Sequence, residues 1–118
     1  MKVLSVENGS IWAPYLLKVM DKMKGMGRNG PWLGGRVTGR ASEIFKQPVW
    51  VNPYHEEDHE ALADLIGVEH VVFGSDYPHA ESVPHPDELI AHIVSQFAPP
   101  DVRRIMRENG RSLVGEKA

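Results

Sequence analysis

The chain has 118 residues, 42% of them hydrophobic and 25% charged, with 13 Lys+Arg against 16 Asp+Glu and no cysteine. That describes one ordinary globular domain at most. A net charge of −3 gives no electrostatic grounds for gripping nucleic-acid phosphates, and the lack of cysteine excludes disulfide and thiol chemistry. No stretch reaches the ~20 apolar residues of a membrane span, and the opening residues lack the apolar run of a signal peptide. A cytoplasmic protein without membrane or nucleic-acid partners is expected.

Val3-Leu4-Ser5-Val6 is a short β-favouring run, closed by the turn cluster Glu7-Asn8-Gly9-Ser10. Trp12, Leu16, Val19, Met20 and Met23 then recur at steps of three and four. That spacing predicts an amphipathic helix over roughly 11–24, with Ser10 as its N-cap and Pro14 tolerable in the first turn. Residues 25–41 carry Gly25, Gly27, Gly30, Gly34, Gly35 and Gly39. They read as the core of a long Gly-rich loop, 25–47, in which Ser42-Glu43-Ile44-Phe45 makes one helical turn.

Val49-Trp50-Val51 is a second strand between Pro48 and Asn52-Pro53. A second helix is expected over 56–66, with Ala61, Leu62, Leu65 and Ile66 buried and Gly67 as its stop. Val71-Val72-Phe73 is a third strand and runs into a loop of active-site type, 74–86. Pro86-Asp87-Glu88 opens a third helix, with Leu89, Ile90, Ile93, Val94 and Phe97 as its core face. Pro99-Pro100-Asp101 opens a last helix with Val102, Ile105 and Met106 inward, ended by Asn109-Gly110. Its Arg103, Arg104, Arg107 and Arg111 read as a solvated basic face. Short apolar strands alternating with amphipathic helices point to a parallel α/β sheet.

Ligands of parallel α/β folds bind beyond the carboxyl ends of the strands. Two carboxylates fall there. Asp76 lies on the bend after the third strand, with His79 three residues on, and Glu7 follows the first strand. The three are expected to share one rim. Ser75, Asp76 and His79 do not make a catalytic triad, because three groups within five residues rarely converge on one substrate atom. His55-Glu56-Glu57-Asp58-His59 matches the letters of a zinc-protease motif. Its place at the start of a helix, among polar neighbours, reads instead as a solvated acidic helix N-terminus. His70, His85 and His92 are unremarkable.

Four stretches in order, "SVENGSIWAPYLLKVMD", "ASEIFKQPVWVNP", "GVEHVVFGSDYPHAE" and "RRIMRENGRSLVG", resemble the last third of an amidohydrolase-related protein. The family is the metal-dependent amidohydrolase superfamily, in its aminocarboxymuconate-semialdehyde decarboxylase-like branch. The resemblance implies the C-terminal part of a (β/α)8 TIM barrel: about three βα units plus a final helix, incomplete as it stands. It also implies hydrolysis or decarboxylation of a small carboxylate or amide-type substrate. By resemblance Asp76 is the catalytic carboxylate of the eighth strand, a metal ligand or the group that handles the proton of metal-bound water; Glu7 and His79 line the substrate pocket, and Trp32 forms apolar wall, with Trp12 either joining it or, as its spacing favours, packing in the core. Zinc is the first choice of metal and manganese the second. Glu7 stands where some members carry a catalytic histidine, and Gly110 where a small alanine is common. The family's His-x-His pair and later metal histidine have no counterpart here, so this chain is not expected to hold a metal tightly on its own. A homo-oligomer or an upstream barrel half is the expected protein partner. The rival expectation is a truncated, inactive fragment or split-barrel half acting as a structural partner.

Overall fold

The computed structural model describes residues 1–26, 38–80 and 82–115. Trp32 and most of the Gly-rich stretch lie outside the described residues. Two strands, β1 (Val3–Ser5) and β2 (Val49–Val51), pair in parallel with Val3 opposite Val49, Leu4 opposite Trp50 and Ser5 opposite Val51. The ladder is extended at both ends, where Val3 N–H donates to the Pro48 carbonyl (2.7 Å) and Asn52 N–H to the Ser5 carbonyl (3.0 Å).

The expected third strand is reduced to one parallel bridge between Val51 and Val71. Val72 N–H still donates to the Val51 carbonyl (3.0 Å), but Phe73 N–H turns to the Ile105 carbonyl (3.1 Å). That N–H points away from β2, so the last helix covers the outer side of the segment, while on the inner side Pro53 has no N–H to extend the ladder. The order of pairing, first segment to second to third, remains that of consecutive parallel strands.

Helix α1 (Trp12–Met26) buries Ala13 and Leu17. Helix α2 (Ala41–Lys46) occupies the helical turn expected near 42–45. It therefore falls inside the stretch 25–47, whose N-terminal side α1 also enters. Arg40, in the capping position of α2, makes no side-chain cap bond. Asp21 of α1 takes over: Ser42 N–H (2.9 Å), Ser42 Oγ (2.8 Å) and Arg40 Nη2 (2.8 Å) all donate to its carboxylate. These bonds hold the Asp21 carboxyl down at about 2, with the Ser42 amide contributing most.

Helix α3 (His59–Ile66) starts three residues later than the sequence pattern predicts. Asp58 caps it, accepting from Ala61 N–H at 2.8 Å. Glu57 is drawn away by other bonds, described below. Leu62 and Ile66 are buried as expected, whereas Ala61 is exposed and His59 buried in its place. Gly67 ends the helix at φ +93°, a conformation few other residues adopt. A 3-10 turn, Val68–His70, leads into Val71.

Helix α4 (Pro86–Gln96) buries Leu89 and Ile93, half-buries Phe97 just beyond its end, and leaves Ile90 and Val94 exposed. Its apolar stripe is therefore wider than the surface it covers. The C-terminal helix comprises α5 (Pro99–Arg103), a π-helical turn Arg104–Glu108 and α6 (Asn109–Leu113). Asn109-Gly110 does not end it. Asn109 is buried, and its Nδ2 donates to the carbonyls of Val68 (2.8 Å) and Val71 (2.7 Å). A side chain that reads as a helix stop instead fastens the last helix to the bridge segment. The core is continuous: Leu17, Leu62, Ile66, Ile93 and Ile105 from four helical segments close on Val49, Val51 and Val71.

Candidate active site

Three connections leave the carboxyl ends of the paired segments on one side: 6–11 after β1, 52–58 after β2 and 72–85 after the bridge. Together they enclose a cleft of roughly 260 Å³, whose lining includes Glu7, Asn52, Tyr54, His55, Asp76 and His79. The rim inferred from strand order is present, and it brings Glu7, Asp76 and His79 together.

Glu7 and Asp76 share a backbone feature. Both sit at positive φ, +58° and +55°, and they are the two non-glycine residues to do so among the described residues. A left-handed conformation costs such a residue on the order of 1–3 kcal/mol and persists where its surroundings enforce it, often at functional sites. Asp76 is further shaped by its own turn, since His79 N–H donates to its carbonyl (2.9 Å) and His79 Nδ1 stands 3.6 Å from its Oδ2. Both side chains remain accessible to solvent. The bend is anchored from β2, where Asn52 Nδ2 donates to the carbonyls of Val72 (3.2 Å) and Gly74 (3.3 Å).

The segment 55–59 divides by residue. His55 and Glu56 face the cleft, His55 Nδ1 lying 3.2 Å from Glu56 Oε2. For these two the solvated reading holds. His59 departs from it: the ring is buried beside His92, with centroids 5.9 Å apart. Its Nδ1 lies 2.8 Å from the Glu57 carbonyl, so that nitrogen carries the hydrogen. Burial pushes the His59 pKa below 6.5; the bond to Glu57 opposes that shift and the His92 ring adds to it. The two histidines of the motif thus occupy different environments, as a chance match would.

Trp12 packs edge-on against Phe45 (6.5 Å) and donates from Nε1 to the Gly9 carbonyl (2.9 Å). It braces the first loop and is absent from the cleft lining. The contributions of Asn52, Tyr54 and His55 were not drawn from the sequence. The signal was available, since 52–58 follows β2 as 6–11 follows β1.

A catalytic zinc requires three protein ligands and a structural one four. Among the described residues, no group of three or more His, Asp or Glu is placed to hold a metal. Asp76 and His79 therefore fall short of a complete donor set.

A family model described as Amidohydrolase matches residues 18–115. The crystal structure of an amidohydrolase from Mycobacterium avium subsp. paratuberculosis K-10 superposes with a TM-score of 0.85 at 34% identity, over 98% of this chain and 28% of that one. The 5-carboxyvanillate decarboxylase of Sphingomonas paucimobilis gives 0.64 at 20% identity, over 92% of this chain and 31% of that one, a likeness of fold alone. No curated protein matches. The chain spans less than a third of either solved relative. Its parallel βα units are part of an amidohydrolase (β/α)8 barrel, with the rim of the strands forming the cleft. With a family model covering most of its length and a barrel segment superposing along nearly all of it, the chain belongs to the amidohydrolase family.

Proposed function

We propose that this chain is the part of an amidohydrolase-like enzyme that contributes the carboxylate Asp76 to the catalytic rim. The reaction is hydrolysis or decarboxylation of a small carboxylate or amide-type substrate. The supporting observation is that the described non-glycine residues at positive φ, Glu7 and Asp76, line the same cleft. Asp76 would move the proton at the reacting centre or hold a divalent metal, zinc first and manganese second, which in a complete barrel would need its other ligands from residues outside this chain and would supply activation of water or polarisation of the substrate. Glu7 and His79 line the substrate side. In a complete barrel carrying this segment, Asp76→Asn is expected to reduce turnover ~10²–10⁴-fold, the scale of a lost acid–base group. Retained turnover would overturn the assignment.

A second reading has its own support. Among the described residues the outer edge of β1 is unpaired, and Val3 and Leu4 on it are each 39% exposed. An open apolar edge invites another strand. On this reading the chain is an inactive barrel part that pairs with an upstream barrel half or with a second copy of itself. Size-exclusion chromatography separates the cases, because a monomer at high concentration that ignores a supplied barrel half would contradict the pairing.

A further inference from the structure

We infer that Glu57 is the positioning residue of this cleft: its carboxylate pins the loop carrying Glu7 to the loop carrying Tyr54 and His55 and so sets the spacing of the rim. The inference rests on the cleft being the substrate site, as proposed above.

Glu57 does not line the cleft; it acts through residues that do. Its Oε1 accepts from the buried Ser10 N–H at 2.9 Å, and its Oε2 from Tyr54 N–H at 2.8 Å. Both are bonds from neutral amides to an ion, roughly twice as strong as neutral ones. Tyr54 then returns to the first loop, its hydroxyl donating to the Glu7 carbonyl at 2.7 Å. One carboxylate thus closes a circuit between segments 47 residues apart.

The backbone is shaped to admit it. Gly9 is buried at φ +58°, and a Cβ there would lie 2.6 Å from Glu57 Oε1 and 2.8 Å from Tyr54 Cδ2. The clamp is also rooted in the core, because the Glu57 carbonyl accepts from the buried His59 ring at the start of α3.

The pairing of β1 with β2 is made without this contact. β1 and β2 are already joined by their ladder up to Ser5 and Asn52. Glu57 acts beyond the ladder, on the side where the cleft opens. Site groups must be held within about 0.5 Å to act, and a contact at this place supplies that constraint.

The test uses the 118-residue chain and its Glu57→Ala and Glu57→Gln variants, read by amide hydrogen exchange and backbone NMR shifts. Glu57→Ala is expected to speed exchange at Ser10 and Tyr54 about tenfold and to displace the Glu7 resonances, while Val72 and Phe73 hold their protection. Glu57→Gln, with one accepting oxygen, should lose protection at one of the two amides and keep it at the other. Unchanged exchange at both amides in either variant would overturn the clamp. Equal loss at Val72 and Phe73 would reduce Glu57 to a general stabiliser and overturn it equally. Should Glu57→Ala fail to fold, the one-amide pattern of Glu57→Gln decides alone. In a complete barrel Glu57→Gln should lower kcat/KM about tenfold at an unchanged melting temperature. An unchanged kcat/KM would overturn the positioning role, whereas failure of the Asp76→Asn test would strike the site and leave the exchange result standing.

Discussion

Asp21 and His59 are the two described side chains whose ionisation is most clearly bound to the fold. The Asp21 carboxyl is held at about 2 against an ordinary 3.8, so its bonds to Ser42 and Arg40 stabilise the protein fully above 3.8. That contribution drains away as pH falls from 3.8 towards 2. Urea midpoints measured from pH 5 to pH 2 should therefore fall less steeply in Asp21→Asn than in the parent chain. His59 runs in the same sense at higher pH. Its pKa is lowered from 6.5 by burial, so stability is full above 6.5 and is lost as pH falls below it towards the folded value. His59→Gln should flatten the urea midpoints between pH 7.5 and 5.5, and an undiminished slope would contradict the assignment. Gly9 belongs to this scale as well. Gly9→Ala would press a methyl against Glu57 and Tyr54 at a positive φ, a strain on the order of 1–3 kcal/mol, visible in chemical denaturation.

At the scale of elements, the C-terminal helix is the unexpected support of the site. Its π-helical turn presents the Ile105 carbonyl to Phe73 N–H, and Asn109 ties down the carbonyls of Val68 and Val71. The segment leading to Asp76 is thus held by a helix as much as by a sheet. Asn109→Ala would leave the Val71 carbonyl without its donor, while the Val68 carbonyl keeps Val71 N–H (3.3 Å), and about 1–3 kcal/mol is the expected loss in urea unfolding. A loss within experimental error would show that water replaces the amide. These contacts also mark what periodicity could reach. The helix over Trp12–Met26 and the strand Val49–Val51 are legible as elements, but the helix buries Ala13 and Leu17 rather than the stripe Trp12, Leu16, Val19, Met20 and Met23, because its contact face is set by what packs against it. Asn109-Gly110 was misread as a stop, since buried carbonyls from elsewhere in the chain outweigh a local turn preference. Val71–Phe73 carries a strand's composition, yet its ladder stops at one bridge, because the next rung would need an N–H from residue 53 and that residue is Pro53. Glu57 was taken for a solvated acid because its two donors are contributed by loops that meet only in the fold.

The whole molecule is a set of parallel βα units with one finished side and one open one. Helices cover Val49, Val51 and Val71, while among the described residues β1 keeps an unpaired edge. Strand order alone placed Glu7, Asp76 and His79 on one rim, because the carboxyl ends of parallel strands always face the same way. The same logic limits what this chain can hold. Its cleft offers Asp76 and His79 at 3.6 Å and no third metal-binding group gathered with them among the described residues. On the proposed function, Asp76 is one part of a site whose remaining ligands lie outside this chain. Metal analysis of the purified 118-residue chain after dialysis against zinc and manganese tests it most directly. Metal well below one equivalent per chain, unchanged by Asp76→Asn, is the expected result; one tightly held equivalent, lost on that substitution, would contradict it.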